Sequence, residues 1–299
     1  MSSIYMYSTV YPGVEPFLRD WHASVREQTR TDFRLCLGQD EIDVETVELF
    51  TEHHVDADWI PAPPGSTLAE VRNAALAAIV EHDGTVIFVD SDDVLMPTRI
   101  EHACEALADA DVVACALEIM SENGRRSREC ISLPAGTAPD TVLPRHNLFG
   151  LSNTAWRIDM LRRCVPVPRE TLLVDWYLVS QAWLYSARLQ FDPRVDMLYR
   201  QHGRSSARIR PPYTSAQVRR DTEKVCLHFD LVRANFRSDQ DQARQQELVR
   251  VAEDVERFRD SVVGSASNLD TYVMHLNQSR CGSYWWESVA YPELRQMWR

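Results

Sequence analysis

"TVIFVDSDDVLMPTRI", residues 85–100, sets Val86, Ile87, Phe88 and Val89 directly before Asp90, Asp92 and Asp93. An unbroken apolar run of β-branched and aromatic residues reads as a central strand covered on both faces. Carboxylates this close together repel, so solvent, backbone N–H groups or a cation must offset them. In a parallel α/β sheet, ligands bind beyond the carboxyl ends of the strands, and the cluster stands at such an end. A plainer reading is a strand-to-helix turn in which one Asp caps the helix starting near Thr98.

The flanking sequence supports the strand. "SIYMYSTV" (3–10) and "FRLCLGQD" (33–40) read as further strands, and Phe17, Leu18, Trp21 and Val25 fall at helical spacing between them. Residues 46–53 suit a short helix, and "WIPAPPGST" (59–67) reads as a Pro-rich loop whose Ser66 or Thr67 caps the helix "LAEVRNAALAAIVEH". After the carboxylates come a helix, "TRIEHACEALADA", and a strand, "DVVACALEIM". Strand–helix alternation over residues 1–120 predicts α/β units on a mostly parallel sheet.

The middle is less regular. "LFGLSNTAWRIDMLRR" (148–163) reads as a turn into a helix, "VDWYLVSQAWLYSA" (174–187) as a helix, and "LQFDPRVDMLYRQH" (189–202) as extended chain broken by a Pro. Beyond "RPPY" the helices are long and polar. Leu248, Val251, Val255, Phe258 and Val262 form an amphipathic stripe. It can pack on the protein's own surface, form a homodimer contact or dock a lipid-linked acceptor. The aromatic "YWWESV" has few Lys around it, which argues against a membrane-interface role.

A net charge of −12 argues against general nucleic-acid binding, which needs a basic footprint. The seven Cys include no C-x-x-C pair, which fits reduced thiols in a cytoplasmic protein. No signal peptide is read at the N-terminus, and no apolar stretch reaches the ~20 residues that span a bilayer.

"IFVDSDDVLMPTRIEHACEAL" resembles the D-x-D segment of GT-A-fold glycosyltransferases, specifically the large inverting family 2. Weaker motifs follow in the right order. "TVYPG" stands where that family has a nucleotide loop, which points to Thr9 and Tyr11. Asp40 in "LGQDEID" matches the acid that contacts the base, and "AEVRNAAL" places Arg72 near the nucleotide. "LVDWYL" occupies the place of the acidic pair that supplies the catalytic base, which points to Asp175, although Val174 replaces the usual Glu. "YRQHGRSSA" is similar to the family's late Y-R-x-H segment, but "GRSS" stands where Asn is common. It makes His202 a metal or diphosphate contact and Arg200 a diphosphate contact.

The resemblance implies an α/β GT-A fold, with a Rossmann-like, mostly parallel central sheet flanked by helices. Residues 1–212 would form the transferase domain, 1–120 its nucleotide-sugar half and 121–212 its acceptor half, with 213–299 a helical extension. It implies a metal-dependent, hexosyltransferase-type enzyme that moves a sugar from a nucleotide-diphosphate donor, UDP by family habit, to an acceptor hydroxyl. A saccharide, a lipid-linked saccharide, a protein side chain or a small metabolite all remain open as acceptor, and surface polysaccharide or natural-product synthesis as pathway.

The chemistry needs such residues. Leaving diphosphate develops negative charge that a cation and hydrogen-bond donors must stabilise, and the acceptor hydroxyl needs a base. Asp92 is expected to ligate Mn²⁺ or Mg²⁺ with His202, and Asp90 to contact ribose or metal. Asp93 reads as a carboxylate favoured by a helix N-terminus. Asp175 read alone is an N-cap; after the D-x-D domain it reads as the general base of one inverting displacement. Arg200, Arg204 and Arg208 make a basic patch that suits a diphosphate, whereas Arg208 and Arg210 also read as surface charges. Trp156 and Trp176 suit the core better than sugar stacking. A nucleotidyltransferase would show a Gly-rich basic loop where this chain has "STVYPGVEP". The alternatives are a retaining GT-A enzyme or a non-catalytic sugar-nucleotide-binding protein.

Overall fold

The computed structural model describes residues 3–203 and 209–299. Strand β1 (Ile4–Val10) is buried along its whole length and pairs in parallel with β2 (Arg34–Gln39) and β4 (Thr85–Phe88). Helix α1 (Leu18–Arg26) turns Leu18, Trp21 and Val25 inward. Helix α2 (Val44–Thr51) starts at Asp43, whose carboxylate accepts the Thr46 N–H. Helix α3 (Leu68–Ile79) opens with a reciprocal Thr67–Glu70 capping box, which satisfies two N–H groups that the helix itself leaves unpaired. Because β1, β2 and β4 run the same way, the residues after them, Asp40 and Asp90 included, emerge along one edge of the sheet.

The stretch read as a Pro-rich loop contains a short strand, β3 (Asp58–Pro61), paired in parallel with β2. It lies at the sheet edge and ends in Pro61, where a missing N–H costs no ladder bond.

Past β4 the sheet becomes mixed, running β3-β2-β1-β4-β8-β6-β9-β5 with β7 attached to β6. Its further strands are β5 (Val94–Leu95), β6 (Val112–Ser121), β7 (Arg126–Ile131), β8 (Thr154–Arg157) and β9 (Leu189–Gln201). β8 runs antiparallel to β4 and β6, while β9 runs parallel to β6. The parallel expectation therefore describes the half of the sheet from β3 to β4. β8 was hidden inside an expected turn-and-helix because only "TAWR" precedes α5 (Ile158–Cys164). Pro193 does not break β9. Cys115 pairs with Asp192 and Ala116 with Val195, so Pro193 sits in a bulge where no ladder hydrogen bond is required. Helix α4 (Arg99–Ala106) covers one face, and α6 (Val174–Leu184) is buried nearly all round.

The chain continues through α7 (Ser215–Ala234), α8 (Gln242–Phe258), a π-helical turn (Arg259–Val263) and α9 (Ala266–Leu276). The stripe residues Leu248, Val255, Phe258 and Val262 are buried, and Val251 packs beside them, so this face is spent on the chain's own core. Buried Asp254 on α8 accepts hydrogen bonds from Arg145 at 2.6 Å and from Arg257, Arg295 and the Trp298 indole at 3.2 Å each. This anchor ties α8 both to the loop before β8 and to the tail. No helix among the described residues is long and apolar enough to cross a membrane.

Candidate active site

The turn after β4 is fixed by side chains from three directions. Ser91 is fully buried and donates to the Thr9 carbonyl at 2.6 Å, joining the turn to the end of β1. The Asp90 N–H donates to Ser152 Oγ at 2.8 Å, joining it to the loop before β8. Asp93 Oδ1 accepts the Arg200 N–H at 2.7 Å, joining it to β9. The turn thus places carboxylate oxygens of Asp90, Asp92 and Asp93 within 4.8 Å of one another.

Burial and the neighbouring carboxylates hold the Asp90 and Asp93 carboxyls above the usual carboxylate range, with Arg72 opposing the rise at Asp90. Arg72 Nη2 lies 3.6 Å from Asp90, and its buried Nε has no hydrogen-bond partner among the described residues. Asp92 Oδ2 lies 2.9 Å from His202 Nε2. Asp93 Oδ2 is buried without a hydrogen-bond partner among the described residues. Crowded hard oxygen donors, an adjoining imidazole and an orphaned carboxylate oxygen suit a divalent cation of the Mn²⁺ or Mg²⁺ kind.

Thr9, Tyr11, Asp40, Arg72, Asp90, Asp92, Arg200 and His202 all line one open cleft of about 270 Å³. Tyr11 is held protonated by burial and by the three carboxylates facing it. Thr9 Oγ1 is engaged with the Tyr7 hydroxyl at 2.8 Å and its carbonyl with Ser91, so both groups of Thr9 are taken up where it borders the cleft. Asp40 is pushed upward by partial burial. The helix pair Arg72–Asn73 divides its work. Arg72 faces the cleft, while Asn73 exchanges two hydrogen bonds with the Val167 backbone, at 2.7 and 2.9 Å.

Asp175 lines a second cavity that adjoins the first, sharing Leu68, Arg72, Asp90 and Tyr199 with it. It lies in the first turn of α6, but the N-cap is Leu173, so capping does not explain Asp175. Its Oδ2 accepts Asn147 Nδ2 at 2.8 Å. Burial raises the Asp175 carboxyl, against the pull of Arg72, the Trp176 N–H and Asn147. Asn147 is fully buried, accepts the Phe149 N–H at 2.9 Å, and pairs its backbone with Trp285 as an antiparallel bridge.

Some expectations change. Arg200 is 2% exposed and its guanidinium is taken up within the protein. It donates to the Asp92 carbonyl at 2.7 Å, the Glu122 carbonyl at 2.8 Å and Asp20 at 2.9 Å, over the Phe17 ring. It borders the cleft as a brace for the turn, with its donors engaged, and not as an open diphosphate ligand. Asp93 is not a helix N-terminal carboxylate, because β5 separates it from α4 and its partner is the β9 backbone. Trp156 and Trp176 are core, Trp176 stacking on His228 at 4.3 Å. Arg204 and Arg208 of the basic patch lie outside the described residues. Sequence reading missed Ser91, Ser152, Asn147 and Asp20. Of these only Ser91, inside D-S-D, carried a local signal.

An α/β chain with a mixed curved sheet and a carboxylate turn beyond its parallel strands has the GT-A glycosyltransferase architecture. The "Glycosyl transferase family 2" model matches residues 8–158, and the chain belongs to that family and is a glycosyltransferase. Solved structures agree in fold. TarS 1-349 from S. aureus aligns at TM-score 0.59 and 15% identity, over 91% of this chain and 77% of that one. The same TarS fragment in complex with UDP-GlcNAc aligns at 0.55 and 15%, over 91% and 89%. The mannosyltransferase PcManGT from Pyrobaculum calidifontis, in complex with GDP-Man and Mn²⁺, aligns at 0.55 and 14%, over 99% and 84%. No curated protein sequence matches.

Proposed function

We propose that this enzyme moves a sugar from a nucleotide-diphosphate donor to an acceptor hydroxyl with inversion at the anomeric carbon. The supporting observation is that the Asp90–Asp92 turn and Asp175 open on adjoining cavities that share Asp90 and Arg72. The sugar to be moved then lies between the two, with the departing diphosphate on one side and the acceptor on the other.

Thr9, Tyr11 and Asp40 border the nucleoside end, and Asp90 contacts ribose or metal. Asp92 and His202 would hold Mn²⁺ or Mg²⁺, which when bound supplies positive charge against the departing diphosphate. Arg72, whose Nε has no hydrogen-bond partner among the described residues, faces the same charge. Arg200 keeps the turn in place from behind. Asp175 takes the acceptor proton; a carboxyl held above its ordinary range is a stronger base than a solvated one, and Asn147 aims it. A UDP-sugar is the favoured donor, in keeping with the UDP-GlcNAc bound by one structural neighbour, although another binds GDP-Man. The residues assigned to transfer lie in residues 1–212, and 213–299 add helical support and the loop whose Trp285 and Trp286 line the Asp175 cavity. A homodimer through those helices would use faces other than the buried stripe. With its cysteines free, the chain is assigned to the cytoplasm.

Proton NMR of the first product formed tests the stereochemistry. An anomeric configuration opposite to the donor's is expected, with turnover lost in Asp175→Asn. A retained configuration would remove both the inverting mechanism and the role given to Asp175.

A further inference from the structure

The cavity beside Asp175 combines one reactive edge with apolar walls. Asp175, Asp90, Arg72, Ser152 and Asn153 supply the polar edge; Leu68, Leu151, Leu172, Leu173, Trp285 and Trp286 line the rest. Among the described residues the chain exposes few large apolar side chains, and Leu172 (52% exposed) and Leu68 (43% exposed) both stand at this one cavity. Exposed leucines converging on a cleft next to a buried carboxylate are costly in water and gain free energy when an apolar body covers them.

The inner wall comes from the end of the chain and is firmly held. Trp285 is bridged through its backbone to Asn147, the residue that orients Asp175. Its ring meets Tyr199 edge-on at 5.8 Å between centroids. Glu287 Oε2 accepts the N–H groups of Gly282 at 2.7 Å and Ser283 at 2.6 Å, which closes the loop bearing Trp285. The buried Tyr272 hydroxyl donates to the Ser288 carbonyl and accepts the Tyr291 N–H, both at 2.9 Å, fixing the loop to α9. Gly150 lies so close that an added Cβ would come within 3.1 Å of the Trp285 ring.

We propose that this cavity is the acceptor subsite and that it takes a hydroxyl compound carrying an apolar body next to the reacting hydroxyl. The hydroxyl faces Asp175, Trp285 forms the wall behind the apolar body, and Leu172 and Leu68 form the rim. The C-terminal segment thereby completes the site and does not merely cover the core. This rests on Asp175 being the base, so the test separates the two.

Phenyl and methyl β-D-glucopyranoside, which differ only in the apolar group, are titrated into the full chain by calorimetry, with and without Mn²⁺ and UDP. The phenyl glycoside is expected to bind about tenfold more tightly, equivalent to roughly 1.4 kcal/mol of apolar contact. Leu172→Glu, a change at an exposed position, should reduce the preference to less than about threefold while UDP binding is kept. Gly150→Ala, whose added Cβ crowds the Trp285 ring at 3.1 Å and makes it give by a few tenths of an ångström, should also weaken the preference. Asp175→Asn should keep the preference. Equal binding, no binding of either glycoside, or a preference that survives both Leu172→Glu and Gly150→Ala would overturn the proposal. A preference lost in Leu172→Glu together with full turnover in Asp175→Asn would leave the subsite standing and remove the base.

Discussion

The carboxylate side of the cleft is made mainly by consecutive units of the chain, the ends of β1, β2 and β4 with the start of α3, and is closed by Tyr199, Arg200 and His202 from the end of β9 and just beyond it. The Asp175 side is assembled from segments 147–153, 172–175 and 285–286, brought together by Asn147 and by a C-terminal loop. One side follows from the topology of a parallel sheet, which delivers its loops to a common edge whatever their sequence. The other depends on particular side chains meeting across long separations. Substitutions on the first side should therefore affect nucleotide binding, and those on the second should affect transfer while leaving the nucleotide in place.

Asp175→Asn gives the sharpest separation. Turnover is expected to fall by roughly 10²–10⁴-fold, the usual worth of a general base, with UDP affinity unchanged. Because burial raises the Asp175 carboxyl in the folded chain, its ionised form destabilises the fold above the ordinary carboxylate pKa. The Asn variant should thus melt higher than the native chain at pH 7, and the gain should vanish as the pH falls below that range. A calorimetric melt at pH 7 and again in acid checks the sign.

Arg200→Met should lower stability by about 3 kcal/mol, since it leaves two carbonyls and Asp20 without their charged donor. Urea unfolding measures this. Nucleotide binding should weaken with it, whereas a stability loss with unaltered binding would show that the brace does not serve the turn.

Asn147→Ala removes one hydrogen bond to the Asp175 carboxylate, a bond that pulls its pKa down. The pKa should rise further, so the acid limb of kcat/KM moves to higher pH and the rate in the acidic range falls by roughly tenfold. A limb that moves to lower pH would contradict the assignment. Thr67→Ala has the smallest expected effect. Loss of the capping box should cost about 1 kcal/mol of stability and, through α3 and Arg72, no more than a modest loss of UDP affinity.

The same division explains what could be read in the sequence. The strands before Asp40 and Asp90, the capped helix bearing Arg72 and the amphipathic stripe on α8 each announce themselves within one segment, by an apolar run, a cap or a helical spacing. Strands β5 and β8 are two and four residues long, too short for a period to register, so the mixed half of the sheet stayed hidden. Arg200 was visible as a charge but not as a buried one, because its burial comes from Phe17, Asp20 and Glu122, which lie far away in the chain. Asn147 and Trp285 carry no motif. Their part in the site exists only once the C-terminal loop has folded back onto the sheet.

The central claim is that Asp92 and its neighbours form a cation-dependent diphosphate site with Asp175 across from it. Calorimetric titration of UDP, GDP, TDP and CMP, with and without Mn²⁺, into the native chain, Asp92→Ala and Asp175→Asn tests it most directly. Tight binding of one diphosphate is expected, UDP foremost, requiring both Mn²⁺ and Asp92 and unaffected by Asp175→Asn. Binding indifferent to Mn²⁺ and to Asp92, or no binding at all, would contradict it and reduce the three carboxylates to a structural turn.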